Sequence, residues 1–345
     1  MINVTRFIFA LVIGGFGGCV FNLLHFPLPW LLGALAGTII ASLSGAQIEV
    51  SKNIRRYIAI IIGLMLGSTF TPDILVRIHE WVPTLTAAVV YVFIITAVAQ
   101  IYCRKVLKMD GVTALFSGLP GGLSEMTLLG EEAGADIKKL TLTHACRVAC
   151  VLMIIPFALT YLFDMKEVQQ TDAAENWNLI EIALLIASGA IGAYIAKILN
   201  VPANKIIGPL VISSIIHLIG WITSEPHAWL SIAIQLLVGS SLGTRFYGTS
   251  VKEVGKVMVL AIMMTLVMLS VTFLSAYLIS LMTGISFSAL LLALSPGGFA
   301  EMALAALSMG IDPAFVTTHH AARLFVIVFI TPIVIKLLLK KTKSK

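Results

Sequence analysis

The fold is constrained most by a polar motif that occurs twice, at a fixed separation, inside strongly apolar sequence. The first copy comprises Pro120, Gly121, Gly122, Ser124, Glu125, Thr141, His144 and Arg147. The second copy lies 176 residues later and comprises Pro296, Gly297, Gly298, Glu301, Thr317, His320 and Arg323, with Ala300 in place of the serine. Each copy sets a helix-breaking Pro-Gly-Gly, an acid and a His-Arg pair in apolar surroundings. Any fold of this chain has to accommodate both copies.

The composition predicts a polytopic membrane protein made of α-helices. Of the 345 residues, 59% are hydrophobic and 12% are charged, and the mean hydropathy is +1.00. Such a chain has too little polar surface to cover a soluble globule of its size. Apolar runs of about 20 residues, the length that crosses a hydrocarbon core of roughly 30 Å, begin near Arg6, Leu28, Arg55, Trp81, Leu140, Leu179, Asn204, Ala228, Lys256 and Ala314. We therefore expect about ten transmembrane helices, plus two glycine-broken runs over 111–133 and 285–309.

The motif belongs to a duplication that covers nearly the whole chain. Seven further positions recur at an offset of 175 or 176: Gly14, Gly17, Pro27, Gly33, Gly63, Gly67 and Phe70 return as Gly189, Gly192, Pro202, Gly208, Gly239, Gly243 and Phe246. We predict a first membrane repeat over 1–163, an acidic extracytoplasmic linker over 164–178, and a second membrane repeat over 179–345 with a basic cytoplasmic tail.

The distribution of basic residues predicts how the repeats are oriented. If both broken runs enter and leave the membrane on one side as re-entrant hairpins, most of the 23 Lys and Arg residues fall on the cytoplasmic side. Unwound crossing helices obey the positive-inside rule less well, and they stay open as the alternative. In the hairpin arrangement each half has five crossings, so the two repeats are inverted relative to each other. This arrangement places both termini in the cytoplasm.

Each Pro-Gly-Gly predicts a break in a helix at membrane depth. Proline lacks a backbone donor, and each glycine costs about 1 kcal/mol relative to alanine in a helix. The freed backbone groups cannot face lipid, so such a break has to face protein or a water-filled cavity. A packing kink is the structural alternative. Because the motif is duplicated and an acid follows it, we favour a binding site that includes Pro120, Gly121, Gly122, Ser124, Pro296, Gly297 and Gly298.

Glu125 and Glu301 are expected in the first turn of the half-helix that follows each break. A carboxylate is stabilised there by exposed backbone amides and by the helix dipole. A carboxylate deep in an apolar segment is costly unless it is protonated, paired or bound to a cation. Both glutamates therefore suit a proton or sodium coupling site, and a static cap or a salt bridge to arginine is the alternative.

A third part of each motif copy places three polar side chains on one face of a helix, because residues at i, i+3 and i+6 lie on the same side. The two sets are Thr141, His144, Arg147 and Thr317, His320, Arg323. An arginine near the middle of a span costs about 2.5 to 3.5 kcal/mol. We predict that these groups bind an anionic substrate together with the amides at the half-helix ends. The alternative pairs the arginines with Glu301 or Glu125 as fixed internal contacts.

The duplicated PGG-x-x-E-M, followed by T-x-x-H-x-x-R, resembles the AbrB-type membrane protein family, which consists of bacterial proteins built from a tandem duplication. The resemblance covers essentially the whole chain. Members often carry an inherited label as ammonia monooxygenases or are described as membrane regulators. The family is grouped with the cation/proton antiporter and anion transporter superfamily, whose members use inverted repeats and interrupted helices. The resemblance implies a secondary transporter in the bacterial cytoplasmic membrane, and it brings no list of catalytic residues.

These observations favour a transporter over an enzyme. We expect a secondary active transporter or exporter of a small anionic organic solute, coupled to H⁺ or Na⁺ by alternating access. A membrane-embedded regulator of gene expression, or a sensor without transport, is the alternative. A membrane monooxygenase fits least, because a copper or iron site needs converging His or carboxylate ligands and each half-site offers one His beside an arginine. We expect no catalytic residue, metal or cofactor, and no nucleic acid partner; the expected partners are lipid, a solute or ion, and a second copy in a homodimer.

Overall fold

A computed structural model describes residues 4–165, 179–222, 227–249 and 251–343. Within these ranges the regular structure consists of α-helices and short 3₁₀ segments. The first half contains α1 (Val4–Leu23), α2 (Pro29–Leu43), α3 (Lys52–Gly67), α4 (Pro72–Arg77), α5 (Val82–Lys105), α6 (Gly111–Gly118), α7 (Leu123–Glu132) and α8 (Ile137–Leu162). The second half contains α9 (Leu179–Ile198), α10 (Asn204–Leu218), α11 (Ala228–Gly243), α12 (Val251–Thr283), α13 (Phe287–Leu294), α14 (Phe299–Ser308) and α15 (Pro313–Lys343).

The broken runs form two pairs of short helices at matching positions. Helices α6 and α7 are separated at Pro120-Gly121-Gly122, and α13 and α14 are separated at Pro296-Gly297-Gly298. The predicted breaks are therefore confirmed. Whether each pair forms a hairpin or an unwound crossing helix stays a prediction.

Side-chain caps explain where the helices around the breaks begin. Asp110 accepts hydrogen bonds from two backbone N–H groups at the start of α6, and Ser286 caps α13 at the matching position. Asp136 and Asp312 each accept a hydrogen bond from a backbone N–H, at the starts of α8 and α15 respectively. The backbone N–H of Lys139 donates to Asp136, and this bond lowers the pKa of the carboxyl. The duplicated sequence therefore produces duplicated helix starts.

The helices have the length and composition of a helical membrane protein. Six of the described helical stretches could cross a membrane: Val4–Leu23, Pro72–Lys105, Ile137–Leu162, Ile180–Ile198, Val257–Thr283 and Pro313–Thr331. Helices α2 and α10 are apolar but have 15 residues each, which is roughly 22 Å at 1.5 Å per residue. They are shorter than the runs of about 20 residues that the sequence suggested. The total of ten crossings and the inversion of the repeats stay predictions, and most of the linker over 164–178 lies outside the described residues.

The chain packs into two compact units, and each unit draws on both halves of the sequence. The first unit comprises Met1–His79, Ile155–Thr249 and Ala303–Ala314, and the second comprises Glu80–Ile154, Ser250–Met302 and Phe315–Lys345. Helices α1 to α3 and α9 to α11 belong to the first unit. Both Pro-Gly-Gly breaks and both His-Arg pairs belong to the second unit. The units of packing therefore differ from the sequence repeats.

Glycines hold the helices of the first unit in close contact. A Cβ atom on Gly63 of α3 would lie 2.4 Å from the carbonyl oxygen of Ile206 on α10, and one on Gly239 of α11 would lie 2.3 Å from that of Leu31 on α2. Each half thus presents its glycine to the other half in the same way. Small residues four positions apart on a helix allow such close approach between membrane helices.

These contacts predict that alanine at Gly63 destabilises the protein. Because the atom that it meets is backbone, α3 and α10 would have to separate, at a cost of about 1 to 3 kcal/mol. Gly15→Ala is the matched control, since its Cβ would meet nothing within 4 Å. The thermal midpoint in detergent should fall for Gly63→Ala and stay the same or rise for Gly15→Ala. Equal midpoints for the two variants would contradict the close contact.

Candidate functional site

Both breaks are enclosed by protein. In the first, residues 113–121 are buried, and in the second, residues 289–298 are buried. Helix α6 is anchored through Leu115 and Phe116, which pack with Val92 of α5 and Met126 of α7. The broken backbone is therefore shielded from lipid, as its unpaired groups require.

At the first break, His144 and Arg147 bind main-chain carbonyl groups of the broken segment. Nε2 of His144 lies 2.8 Å from the carbonyl oxygen of Phe116. Nη1 of Arg147 donates to the carbonyl of Leu119 at 2.9 Å, and Nη2 donates to that of Gly121 at 3.2 Å. Nη2 also lies 3.1 Å from Nδ1 of the histidine. The buried guanidinium group of Arg147 thus donates to carbonyl groups on both sides of the proline.

The second break repeats this arrangement bond for bond. Nε2 of His320 lies 3.0 Å from the carbonyl oxygen of Leu292, and Nη2 of Arg323 lies 2.9 Å from Nδ1 of that histidine. Arg323 also donates to the carbonyl groups of Ser295 and Gly297. The two motif copies therefore build the same local structure.

The lack of a backbone N–H in proline explains why a histidine side chain donates to the main chain at each break. In an α-helix the N–H of residue i donates to the carbonyl of residue i−4. Phe116 and Leu292 stand four residues before Pro120 and Pro296, which have no N–H. Each of these carbonyls lacks the proline donor and receives the histidine Nε2–H instead. The carbonyl of Leu292 also accepts a longer bond, at 3.3 Å, from the backbone N–H of Ser295. The His-Arg pair is therefore a cap for the end of a broken helix, a role that the sequence analysis did not consider.

The same bonds settle the state of the two histidines and their fit to a metal. A guanidinium group only donates, so Nδ1 accepts from arginine and the proton lies on Nε2. Both ring nitrogens are then engaged, and a metal ion at either break would have to displace one of these bonds. Among the described side chains, no group of three or more His, Cys, Asp or Glu is placed to share a metal ion. The donor set does not fit the copper or iron of a monooxygenase.

The glycines of the motif make room for neighbouring side chains. A Cβ on Gly121 would lie 2.9 Å from Cε of Met126, and one on Gly297 would lie 2.9 Å from Cγ of Met302. Both methionines are buried and pack against these glycines. At Gly298, a Cβ would collide with the carboxylate of Glu301. Glu301 lies in the first turn of α14, as predicted, with its carboxylate folded over the glycine that precedes the helix.

The remaining predicted site residues are placed as follows. Gly122 is the residue before α7 and is half-buried, as is Thr141, whereas Thr317 is buried. Glu125 is the third residue of α7, but its side chain and that of Ser124 lie outside the described part of the chain. The predicted substrate and coupling roles, and the alternative of glutamate–arginine pairs, therefore stay predictions. Binding to main-chain carbonyl groups is an additional role of the two arginines.

The structure adds a buried tyrosine that the sequence analysis missed. Tyr91 of α5 is fully buried and its hydroxyl lies 2.7 Å from that of Thr272 on α12. It interacts electrostatically with both Arg147 and Arg323. The only signal in the sequence was a polar aromatic residue in the middle of an apolar span, which is weak because such residues usually pack.

The carbonyl contacts predict that lysine cannot replace either arginine. A lysine would keep the charge but lose the planar fork, leaving buried carbonyls unpaired at a cost of about 2 to 4 kcal/mol. Arg147→Lys and Arg323→Lys should lower the thermal midpoint by similar amounts, whereas Arg77→Lys, at an exposed position, should leave it unchanged. A midpoint for Arg147→Lys equal to that of the Arg77 control would refute the capping role.

A double-mutant cycle tests the exchange of donors at the first break. Pro120→Ala supplies the backbone N–H whose absence His144 compensates. The cost of His144→Ala should therefore be about 1 kcal/mol smaller in the Pro120→Ala background. Pro296→Ala, at the other break, is the control background and should leave that cost unchanged. Strict additivity in both backgrounds, measured by unfolding in detergent, would argue against the exchange.

Comparison with known proteins supports the family resemblance that the motif indicated. Residues 30–339 match the family described as "Transition state regulatory protein AbrB". The chain is 26% identical to the uncharacterized protein YhjN of Bacillus subtilis (strain 168), over 96% of this chain and 92% of that protein. It is 22% identical, over 91% of this chain and 93% of the other, to an Escherichia coli (strain K12) protein with a provisional name as the regulator AbrB. The two buried His-Arg caps thus lie within the matched residues, and the chain belongs to the AbrB family of membrane proteins.

Proposed function

We propose that this protein is a secondary active transporter or exporter of a small anionic organic solute, coupled to H⁺ or Na⁺ by alternating access. The observation that carries the proposal is the pair of buried guanidinium groups, one at each break, within one compact unit. Two like charges in a medium of low dielectric repel strongly. An anion bound near them relieves that repulsion.

The breaks also supply a conformational device. Around each Pro-Gly-Gly the carbonyl groups are held by side chains of α8 or α15 rather than by the helix itself. A small shift of those helices can therefore move the half-helices without breaking a continuous hydrogen-bond ladder. Irregular backbone at membrane depth is typical of transporter binding sites. In the proposed mechanism, the protein lies in the bacterial cytoplasmic membrane with both termini in the cytoplasm.

Glu301 and Glu125 are the proposed carriers of the coupling ion. The carboxylate of Glu301 folds over Gly298 at the start of α14, where backbone amides stabilise a negative charge. Protonation or Na⁺ binding would weaken that contact and change the conformation of the break. The two events, ion binding and solute binding, would then be linked through the same backbone segment.

The coupling role predicts the effect of glutamine at these positions. Glu125→Gln and Glu301→Gln should each reduce H⁺- or Na⁺-driven solute flux in proteoliposomes more than tenfold. Glu131→Gln, at an exposed position of α7, should leave the flux unchanged. The transported solute is first identified as the organic anion that raises the thermal midpoint of the purified protein. Undiminished ion-driven flux in the Glu125→Gln/Glu301→Gln double variant would exclude the coupling role.

A membrane-embedded regulator or sensor without transport is the second candidate. The description of the family and the name of the Escherichia coli relative both refer to regulation. A regulator of this kind would show no flux with any anion that stabilises it, and its deletion would change transcription only in the presence of a protein partner. Flux in a purified reconstituted system would favour transport, because no transcriptional partner is present there.

A further inference from the structure

The first break contains three buried polar atoms that have no hydrogen-bond partner. They are the hydroxyl oxygen of Ser117, the hydroxyl oxygen of Thr143 and Nε of Arg147. All three residues have no exposed surface. Buried polar groups are nearly always paired, and one left unpaired costs about 1 to 3 kcal/mol. Three such atoms on residues of one break indicate a ligand or an ordered water there.

The three residues belong to one neighbourhood. Arg147 reaches the main-chain carbonyl of Ser117 with Nη1 at 3.4 Å. Thr143 stands four residues before Arg147 on α8, one helical turn away on the same face. The two Nη atoms of the arginine are engaged with carbonyl groups, whereas its Nε–H is free to donate. One donor and two hydroxyls without partners thus belong to residues that adjoin each other where α8 meets the end of α6.

The second break lacks this set. Ala293 and His319 stand at the positions that match Ser117 and Thr143. The ring of His319 is already engaged, since Nδ1 lies 2.8 Å from the carbonyl oxygen of Phe315 and Nε2 lies 2.9 Å from the hydroxyl of Thr84. The Thr317 hydroxyl is a buried atom without a partner at this break, but a single hydroxyl is a much weaker site. The two half-sites are therefore chemically unequal.

The chemistry of the three atoms favours an anion over water. Nε–H can only donate, and hydroxyl groups can donate to an oxygen that carries charge. The guanidinium of Arg323 is a second buried positive charge in the same compact unit, which favours an anion further. Hydrogen bonds from charged donors to a carboxylate are about twice as strong as neutral ones. A carboxylate offers two oxygens that can accept all three bonds.

We propose that the first break, and not the second, binds the carboxylate of the transported solute, through Nε–H of Arg147 and the hydroxyls of Ser117 and Thr143. The proposal rests on the proposed transport function and assigns the anion to one half-site. Alternating access then moves the second break past a solute that stays bound to α6 and α8.

Binding measurements test this assignment independently of flux. The probes are acetate, succinate, citrate and inorganic phosphate, and the readout is the concentration of each that half-maximally raises the thermal midpoint of purified full-length protein. Ser117→Ala and Thr143→Val should each raise that concentration about tenfold for the carboxylate that stabilises wild type. The control is Thr265→Val, a buried hydroxyl already bonded to the carbonyl of Ala261, and it should change that concentration less than twofold. Thr317→Val compares the two half-sites and should weaken binding less than either variant at the first break.

The outcomes separate the assignment from the transport proposal. If no probe stabilises the wild-type protein, the proposed function fails along with the assignment. If a carboxylate stabilises wild type and the Ser117 and Thr143 variants bind it equally well, only the assignment is overturned, and the three atoms hold water. Stronger stabilisation by phosphate than by any carboxylate overturns the choice of a carboxylate. Equal weakening by Thr317→Val would show that both breaks share the anion.

Discussion

The structure around the site depends on hydrogen bonds from a His-Arg pair to main-chain carbonyl groups. Each Pro-Gly-Gly ends a helix inside apolar surroundings, where an unpaired carbonyl has no water to bind. His144 and His320 replace the proline N–H, and the adjacent arginines bind the carbonyls that follow. The break and the pair are therefore one unit of structure, although about 20 residues separate them in the chain. This linkage accounts for the recurrence of both parts together at the same offset.

The capping role and the proposed binding role of the arginines are compatible. Carbonyl dipoles stabilise a guanidinium, but they do not remove its positive charge. At the first break the Nη atoms serve the backbone, whereas Nε–H is left without a protein partner. The same side chain can thus hold a broken helix and offer one donor to an anion. In such a binding site, one arginine would contact both the anion and the main chain of the broken helix, so that solute binding and backbone movement are linked, as the proposed alternating access requires.

The two units of the fold serve different ends. In the first unit, glycines bring α3 against α10 and α11 against α2 so closely that main-chain atoms touch the glycine surface, and small residues of this kind are the usual means of tight packing between membrane helices. The second unit contains both broken helices and both His-Arg pairs. The duplication is retained almost bond for bond at the caps, yet it has diverged at Ser117 and Thr143, where Ala293 and His319 stand. Under the proposed function, this divergence limits the solute-binding hydroxyls of Ser117 and Thr143 to the first break.

Sequence alone determined that the chain is a helical membrane protein of the AbrB type, that it is duplicated, and where the helices break. The length of an apolar run, the missing proline donor and the fixed repeat offset can be read from the sequence without knowing which residues are in contact in space. The sequence could also place Glu301 in a first turn, because that depends on a nearby break. Only the tertiary structure decided what Arg147 and Arg323 bind, that Tyr91 interacts with both, and which polar atoms have no partner. Partners of that kind come from segments far apart in the chain, and hydrogen bonding depends on distances that spacing along a helix does not specify.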